Sequence, residues 1–231
     1  MFIKQYTKSG MKVLDIGCGK GGDLGKYDKC NISEYYGLDI AEVSIYDCKL
    51  RFNNSSYTFK GFFDWCDTYN SPFDLKKQFD LISSQFSFHY AFSSINSIQT
   101  TIKNINIHLK VGGYFIFSVP NREEILKRYE NGDTFNSLYS ITYDGTSNDY
   151  YFFLEGCVNN CVEYFVDFEK LVKFFDKYNI ILIRRTMFKV FYDEMVIKNE
   201  KMAKIMKCRY LNDEEMKIVS LYEIGVFKKI S

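Results

Sequence analysis

The chain has 231 residues, 46% of them hydrophobic and 26% charged, with a formal net charge of +1 and a pI near 7.5. That length supports one domain with a sizeable core. The near-neutral balance excludes a protein that wraps long nucleic acid in a basic groove, so an RNA ligand would be held at one end by a local patch, with modest salt dependence. No uninterrupted apolar run reaches the roughly 18 residues of a membrane span, and the N-terminus M-F-I-K-Q-Y-T-K lacks the apolar core of a signal peptide.

In chain order, Val13–Ile16 reads as a buried parallel strand. It opens into V-L-D-I-G-C-G-K-G-G-D, residues 13–23, a loop with Gly17, Gly19, Gly21 and Gly22. Glycine lets such a loop turn through positive φ and lets a ligand approach the main chain, as at the first βα turn of a doubly wound sheet. A helix is expected over Gly22–Cys30, a strand over Tyr35–Asp39, a helix over Ala41–Phe52 and a strand over Tyr57–Phe63. Then come a strand at Phe79–Phe86, a helix at Ile95–Leu109 stopped by Gly112–Gly113, a strand at Tyr114–Val119 and a helix at Arg122–Tyr129. This β-α-β-α order predicts an α/β fold with a mostly parallel sheet covered on both faces. The rhythm breaks at 131–165, where N-G-D and Y-D-G-T-S-N-D precede the extended runs Tyr150–Leu154 and Cys161–Val166. That segment reads as an inserted hairpin. A helix at Asp167–Lys177 and a strand at Ile180–Arg184 follow. Two short polar helices near 195–206 and 212–218 precede a closing antiparallel strand at Leu221–Phe227. The seven cysteines are scattered, with only a C-x-x-x-C at Cys157 and Cys161. They read as reduced intracellular thiols, with no metal site.

Three constellations carry chemistry. In the first, Gly17, Gly19 and Gly22 match G-x-G-x-x-G, the weak general mark of a nucleotide cofactor. Asp15, just before the loop, would repel a pyrophosphate or anchor an ammonium. Asp39, at the end of the next strand, is placed to accept from both ribose hydroxyls. Together they favour S-adenosylmethionine over a dinucleotide. Asp67, with Asp64 as competitor, could accept from an adenine amino group. Lys20 places a long cation inside the loop and points to an anionic second substrate. In the second constellation, strand Phe79–Ser84 delivers Gln85, Phe86, Ser87, His89 and Tyr90 to its carboxyl end, where aromatics and a histidine can cover a planar base. In the third, N-N-C-V-E-Y-F-V-D-F (159–168) puts Glu163 in the insertion, and a carboxylate can take two hydrogens from the N1 and N2 edge of guanine.

The segments G-C-G-K-G-G-D-L, Y-G-L-D-I-A-E-V-S-I, S-S-Q-F-S-F-H-Y-A-F, L-K-V-G-G-Y-F-I and N-N-C-V-E-Y-F-V-D-F, in that order over residues 5–228, closely resemble the eukaryotic mRNA cap (guanine-N7) methyltransferases. The likeness is strongest to the compact microsporidian form. The resemblance implies a class I S-adenosylmethionine-dependent methyltransferase fold (Rossmann-like), a single domain over 1–231 with a seven-stranded sheet and an insertion at about 131–165 contributing to the cap pocket. It implies S-adenosyl-L-methionine at Gly17, Asp23, Asp39, Asp67, Gln85 and Ser87, and cap phosphates at Lys20 and Arg51. The guanine and cap nucleoside would meet Phe86, His89, Tyr90, Pro120, Phe152, Glu163 and Tyr222, with Phe153 as the neighbour of Phe152. Glu163 and Tyr222 would act by positioning and electrostatics, with no general base. The partner would be the 5′-capped end of an mRNA (GpppN). A nuclear monomer is implied, with other capping enzymes or RNA polymerase II as candidate protein partners.

Family members carry an Asn-Asn…Lys segment upstream of the first strand. The chain begins just inside it, and neither Lys4 nor Lys8 is a convincing substitute, so a truncated start is expected, or weak cofactor binding if the chain is whole. Three other functions share parts of the pattern. A small-molecule class I methyltransferase would not need Lys20, Arg51 and Glu163 together. A non-catalytic nucleotide-binding module would not need intact cofactor positions. A dinucleotide-dependent oxidoreductase is disfavoured by Asp15.

Overall fold

The structure, a computed structural model, describes residues 2–198 and 211–231. Its elements in chain order are α1 (Phe2–Tyr6), β1 (Lys12–Ile16), α2 (Leu24–Asp28), β2 (Glu34–Asp39), α3 (Glu42–Asn53), β3 (Lys60–Trp65) and β4 (Phe79–Gln85). After a 3₁₀ turn at Phe88–Ser93 come α4 (Ile95–His108), β5 (Leu109–Pro120), α5 (Arg122–Glu130), β6 (Tyr139–Thr142), β7 (Asp149–Leu154) and β8 (Val158–Tyr164). The chain closes with α6 (Phe168–Asp176), β9 (Ile180–Met187), α7 (Phe188–Lys198), α8 (Asp213–Val219) and β10 (Tyr222–Lys229).

Seven strands pair in the order β3-β2-β1-β4-β5-β10-β9. The first five are mutually parallel and β10 runs antiparallel to both β5 and β9, the expected closing arrangement. Period-2 side-chain alternation divides the strands between two cores. Leu14, Ile82, Phe115, Phe117 and Phe227 face α4 and α6. Their neighbours Val13, Leu81, Ile116 and Val226 face the opposite side, with Phe2, Tyr27, Ile45 and Phe191. Both faces are therefore covered, which is why these strands read as continuous apolar runs. Phe117 lies so close under β10 that a Cβ at Gly225 would come within 2.2 Å of its ring.

The insertion is a three-stranded antiparallel sheet, β6-β7-β8, where a hairpin was expected. The short strand β6 was missed because its four residues are flanked by turn residues. A third core joins this sheet to α5 through Ile125, Tyr139, Ile141, Tyr150, Phe152 and Phe165. Arg128, buried on α5, donates to Glu124 Oε1 (2.8 Å), Tyr139 Oη (2.8 Å) and Ser220 Oγ (2.7 Å). It thereby ties the insertion to the turn before β10.

Other boundaries also move. The third strand starts at Lys60 rather than Tyr57, and α4 ends at His108, with Gly112 and Gly113 inside β5. The helix expected at 195–206 begins earlier, at Phe188, and residues 199–206 lie outside the described residues. The helix starts have clear local causes. Ser94, Asn121, Asp167 and Asn212 each accept a backbone N–H three residues on, at 3.0, 2.7, 2.9 and 2.8 Å respectively.

Candidate active site at the carboxyl ends of the strands

β1, β2 and β4 all end at one rim of the sheet, where open α/β folds bind ligands. The glycine loop follows β1 there. Gly17 N–H and Cys18 N–H both donate to Leu38 O, at 2.7 and 3.1 Å. Asp39 Oδ2 accepts Gly19 N–H (2.8 Å) and Oδ1 accepts Ala41 N–H (2.9 Å). The carboxylate thus fixes the loop while keeping lone pairs for a ligand. Gly17 adopts φ +73°, and a Cβ there would meet Ser87 Oγ at 2.2 Å. Only glycine permits that approach. Ser87 in turn joins Tyr69 and Ser84 in a ring of hydroxyls, each pair 2.9 Å apart, and donates to Ile16 O (3.2 Å).

Two cavities open beside the loop and share Gly17. The first, about 360 Å³, is lined by Gly17, Asp39, Ile40, Asp67, Thr68, Tyr69, Asn70, Ser87, Tyr90, Ser93 and Tyr164. Its floor, the loop after β3, is held by polar side chains of α4. Asn104 donates to Thr68 O (3.0 Å) and Ser71 O (2.9 Å), Thr101 to Tyr69 O (3.2 Å), and Ser97 to Asn70 Oδ1 (2.6 Å). Asn70 then donates to both oxygens of Asp67, at 3.2 and 3.0 Å. His108 completes the support: Nδ1 donates to Asn104 O (2.7 Å) and Nε2 accepts Leu75 N–H (3.0 Å). That pairing requires the neutral ring, and burial holds its pKa below the usual histidine value.

The second cavity, about 450 Å³, is lined by Asp15, Gly17, Cys18, Gly22, Asp23, Lys26, Gln85, Phe86, Phe188 and Phe191 among others. Asp15 is 3% exposed and accepts Tyr35 O–H at 2.7 Å. Burial first, then the charge of Asp23, pushes its pKa up to about 8. Lys26 pairs with Asp23. The wall therefore carries more acid than base, and a ligand bringing its own positive charge would reverse the perturbation.

A third cavity, about 440 Å³, lies on the other side of Phe86, lined by Phe86, His89, Leu154, Cys157, Val158, Glu163, Phe188, Ile218, Val219 and Tyr222. It is mostly apolar, with His89 and Glu163 at its base. His89 (2% exposed) and Glu163 (6%) approach to 2.5 Å between Nε2 and Oε2. The contact does not meet hydrogen-bond geometry, and neither ring nitrogen of His89 has a hydrogen-bond partner. Tyr90 reaches through from the first cavity to donate to Glu163 Oε1 (3.2 Å). Burial and then the Glu163 charge raise the pKa of Tyr90 and of Tyr222 above the usual tyrosine value.

Phe86 and Phe188 line both the second and third cavities, their ring centroids 6.0 Å apart. Phe86 sits at φ +56°, a left-handed conformation that costs a non-glycine residue about 1–2 kcal/mol. Its N–H is held by both Ser118 O and Ser118 Oγ at 3.0 Å, which fixes the ring edge-on to Tyr222 (5.2 Å, 84°). The three spaces thus form one track: first cavity, Gly17, second cavity, Phe86, third cavity.

Of the residues singled out for the cofactor, Gly17, Asp39, Asp67 and Ser87 line the first cavity, and Asp23 and Gln85 the second. For the guanine, Phe86, His89, Glu163 and Tyr222 line the third. Pro120 is buried and pairs with Tyr222 across β5 and β10. Phe152 is 3% exposed, packed in the third core, and Phe153 points to the opposite face, 38% exposed. Leu154 is the β7 residue that lines the cavity. Lys20 and Arg51 lie on the surface beside the loop, and Lys20 Nζ is 2.9 Å from Asp47 Oδ2, one helical turn from Arg51 on α3. Asp47, Phe188, Ile218 and Val219 carry no motif that marks them in the sequence.

The match to the mRNA (guanine-N(7))-methyltransferase domain spans residues 1–230. The chain belongs to this family. Among its relatives, the mRNA cap guanine-N(7) methyltransferase of Saccharomyces cerevisiae is 34% identical over 227 residues, covering 86% of this chain and 52% of the relative. The Drosophila melanogaster enzyme of the same name is 34% identical over 259 residues, covering 96% and 60%. The chain thus spans about half to three-fifths of the length of these relatives. In fold it is similar to an S-adenosylmethionine-dependent methyltransferase from Clostridium acetobutylicum (TM-score 0.60, 14% identity, 98% of this chain and 86% of that one). It is also similar to one from Methanosarcina mazei (0.63, 15%, 99% and 97%). The fold is that of class I S-adenosylmethionine-dependent methyltransferases.

The residues present fit S-adenosylmethionine. Asp39 and Asp67 offer acceptors on the first cavity, and Asp15 and Asp23 give the second an excess of acid suited to an ammonium. Among the described residues no helix is long and apolar enough to cross a membrane.

Proposed function

We propose that this chain transfers a methyl group from S-adenosyl-L-methionine to N7 of the terminal guanosine of a 5′-capped RNA. The observation that carries the proposal is the junction at Phe86, where a cavity edged by acids and the glycine loop meets a mostly apolar cavity with Glu163 at its base. Asp39 and Asp67 would hold the adenosine end, Asp15, Asp23 and Gln85 the amino-acid end. Bound there, S-adenosylmethionine supplies an electrophilic methyl group on a sulfonium.

The guanine N7 lone pair is unprotonated at neutral pH and needs no general base. The chain's task is to align and to shield. Phe86, Phe188 and Tyr222 present apolar faces to a purine, while Glu163, supported by Tyr90, accepts from the N1 and N2 edge and favours the positive charge that arrives on the ring. The same reading places the chain's work in the nucleus, on the capped ends of transcripts.

Glu163→Gln keeps the side-chain shape and removes the charge. Donor binding, measured calorimetrically, should be unchanged within about twofold, while methyl transfer to GpppG should fall by ~10²–10³, the scale of one preorganised electrostatic contact. Full turnover in this variant would overturn the role given to Glu163.

A further inference from the structure

Among the described residues, Gly17 is the one that lines both the first and the second cavity. A ligand with one end in each must cross its main chain. Two side-chain oxygens stand at that crossing. A Cβ on Gly17 would come within 2.2 Å of Ser87 Oγ and 3.5 Å of Tyr69 Oη, and both residues line the first cavity. Behind them lies Ser84 Oγ, buried and 2.9 Å from each.

The protons of this cluster decide what it shows to a ligand. Ile16 O is a carbonyl and only accepts, so Ser87 O–H donates to it at 3.2 Å. Tyr69 O–H donates to Ser87 Oγ at 2.9 Å. Ser84 O–H has Tyr69 Oη or Ser87 Oγ as its acceptor, each at 2.9 Å. Burial raises the pKa of Tyr69, so its proton stays in place. All the hydroxyl protons therefore point at protein acceptors. Whichever oxygen Ser84 serves, the Ser87 and Tyr69 pair keeps free lone pairs and offers no proton. Among the described residues that line the first cavity there is no lysine, arginine or histidine to neutralise them.

We infer that the hydroxyls of Ser87 and Tyr69 form a sulfonium-recognition site, which holds the charged methyl donor in preference to its neutral-sulfur product. The inference rests on the placement proposed above, with the adenosine end in the first cavity and the amino-acid end in the second. The sulfonium joins those two ends, so the positive sulfur would cross at Gly17, beside the lone pairs. After transfer the same oxygens face an uncharged thioether, and this part of the attraction is lost. Ser87 presents the nearer oxygen. Tyr69 is the positioning residue: its O–H holds Ser87 Oγ, and its loop carries Asp67. Its hydroxyl is not required to satisfy buried groups. In Tyr69→Phe, Ser84 and Ser87 still pair at 2.9 Å and Ser87 still donates to Ile16 O, so no polar atom is orphaned.

The test is calorimetric titration of the full chain with S-adenosylmethionine, S-adenosylhomocysteine and sinefungin, whose amine is protonated where the donor has its sulfonium. Tyr69→Phe should weaken S-adenosylmethionine and sinefungin about fivefold more than S-adenosylhomocysteine, the scale of one net hydrogen bond. Ser87→Ala should act in the same sense. A purely structural role for Tyr69 predicts a common factor for all three ligands. Equal losses, or none, in both variants would overturn the inference. Asp39→Ala separates it from the reading it rests on. That variant should weaken all three ligands alike, because each carries the same adenosine end. If it weakens none, the placement of the donor falls and the inference with it. If it weakens all three while Tyr69→Phe and Ser87→Ala leave their ratios unchanged, the inference alone falls.

Discussion

Phe86 stands between the donor and acceptor spaces, and its left-handed backbone, held by Ser118, is the kind of local strain that persists where a site needs it. Ser118→Ala removes one of the two acceptors for its N–H. Transfer to GpppG should then drop more than donor affinity; an equal loss of both would show that Ser118 serves stability only. Asp15 behaves differently. Its pKa in the fold, about 8, lies above the unfolded value of 3.8, so its contribution to stability is full below 3.8 and is lost as pH rises through 8. Asp15→Asn should therefore raise the melting temperature of the ligand-free chain relative to wild type, by a margin that widens from about pH 4 to about pH 8 and then levels off. A margin independent of pH would contradict the shift. At this scale the sequence was most legible where chemistry needs a particular residue type. Gly17, Asp39, Gln85, Phe86 and Glu163, each singled out from the sequence, all line the three connected cavities. Phe152 was less legible: which of two adjacent phenylalanines faces a core depends on strand pairing, and the register between β7 and β8 shifts between Phe152 and Leu154.

Among the elements, α4 does more than cover the sheet. Ile98, Ile102 and Ile105 fill the core on one side, while Ser97, Thr101, Asn104 and His108 hold the loop that carries Asp67. Asn104→Ala should cost about 1–3 kcal/mol of stability through the unpaired loop carbonyls and weaken donor binding; a stable variant with full affinity would show that the loop holds itself. His108 has a folded pKa below its ordinary value of 6.5. Its contribution is full above that value and is lost as pH falls through the lowered one, since the unfolded chain then binds the extra proton. Thermal melts from pH 7.5 down to 5 should flatten in His108→Gln relative to wild type. The helices and strands of the sheet were readable because both faces are buried and the caps are local. The insertion was not: β6 has only four residues between turn residues, too short to show a period of its own, and it is held by pairing with the next strand β7 and by Arg128 on α5.

Over the whole molecule, positive and negative charge nearly cancel, so attraction for RNA must be local. Lys20 and Arg51 lie beside the glycine loop, and Asp47 already engages Lys20. Two phosphate contacts on a single strand give a salt slope of roughly −1.4 in log K against log salt. Asp47→Asn should free Lys20 and tighten capped RNA by about two- to fivefold at low salt, the worth of one exposed ion pair; weaker binding would place Lys20 elsewhere in the complex. What joins these scales is the continuous track from the acid-edged cavities past Phe86 to Glu163. The measurement that tests it most directly supplies isotopically labelled methyl on S-adenosylmethionine to GpppG-ended RNA, ApppG-ended RNA and uncapped RNA, and digests the products to nucleosides. The label should appear as 7-methylguanosine from the GpppG end alone. Label on the base of an uncapped strand, or at any atom other than N7, would contradict the assignment of the third cavity to the cap guanine.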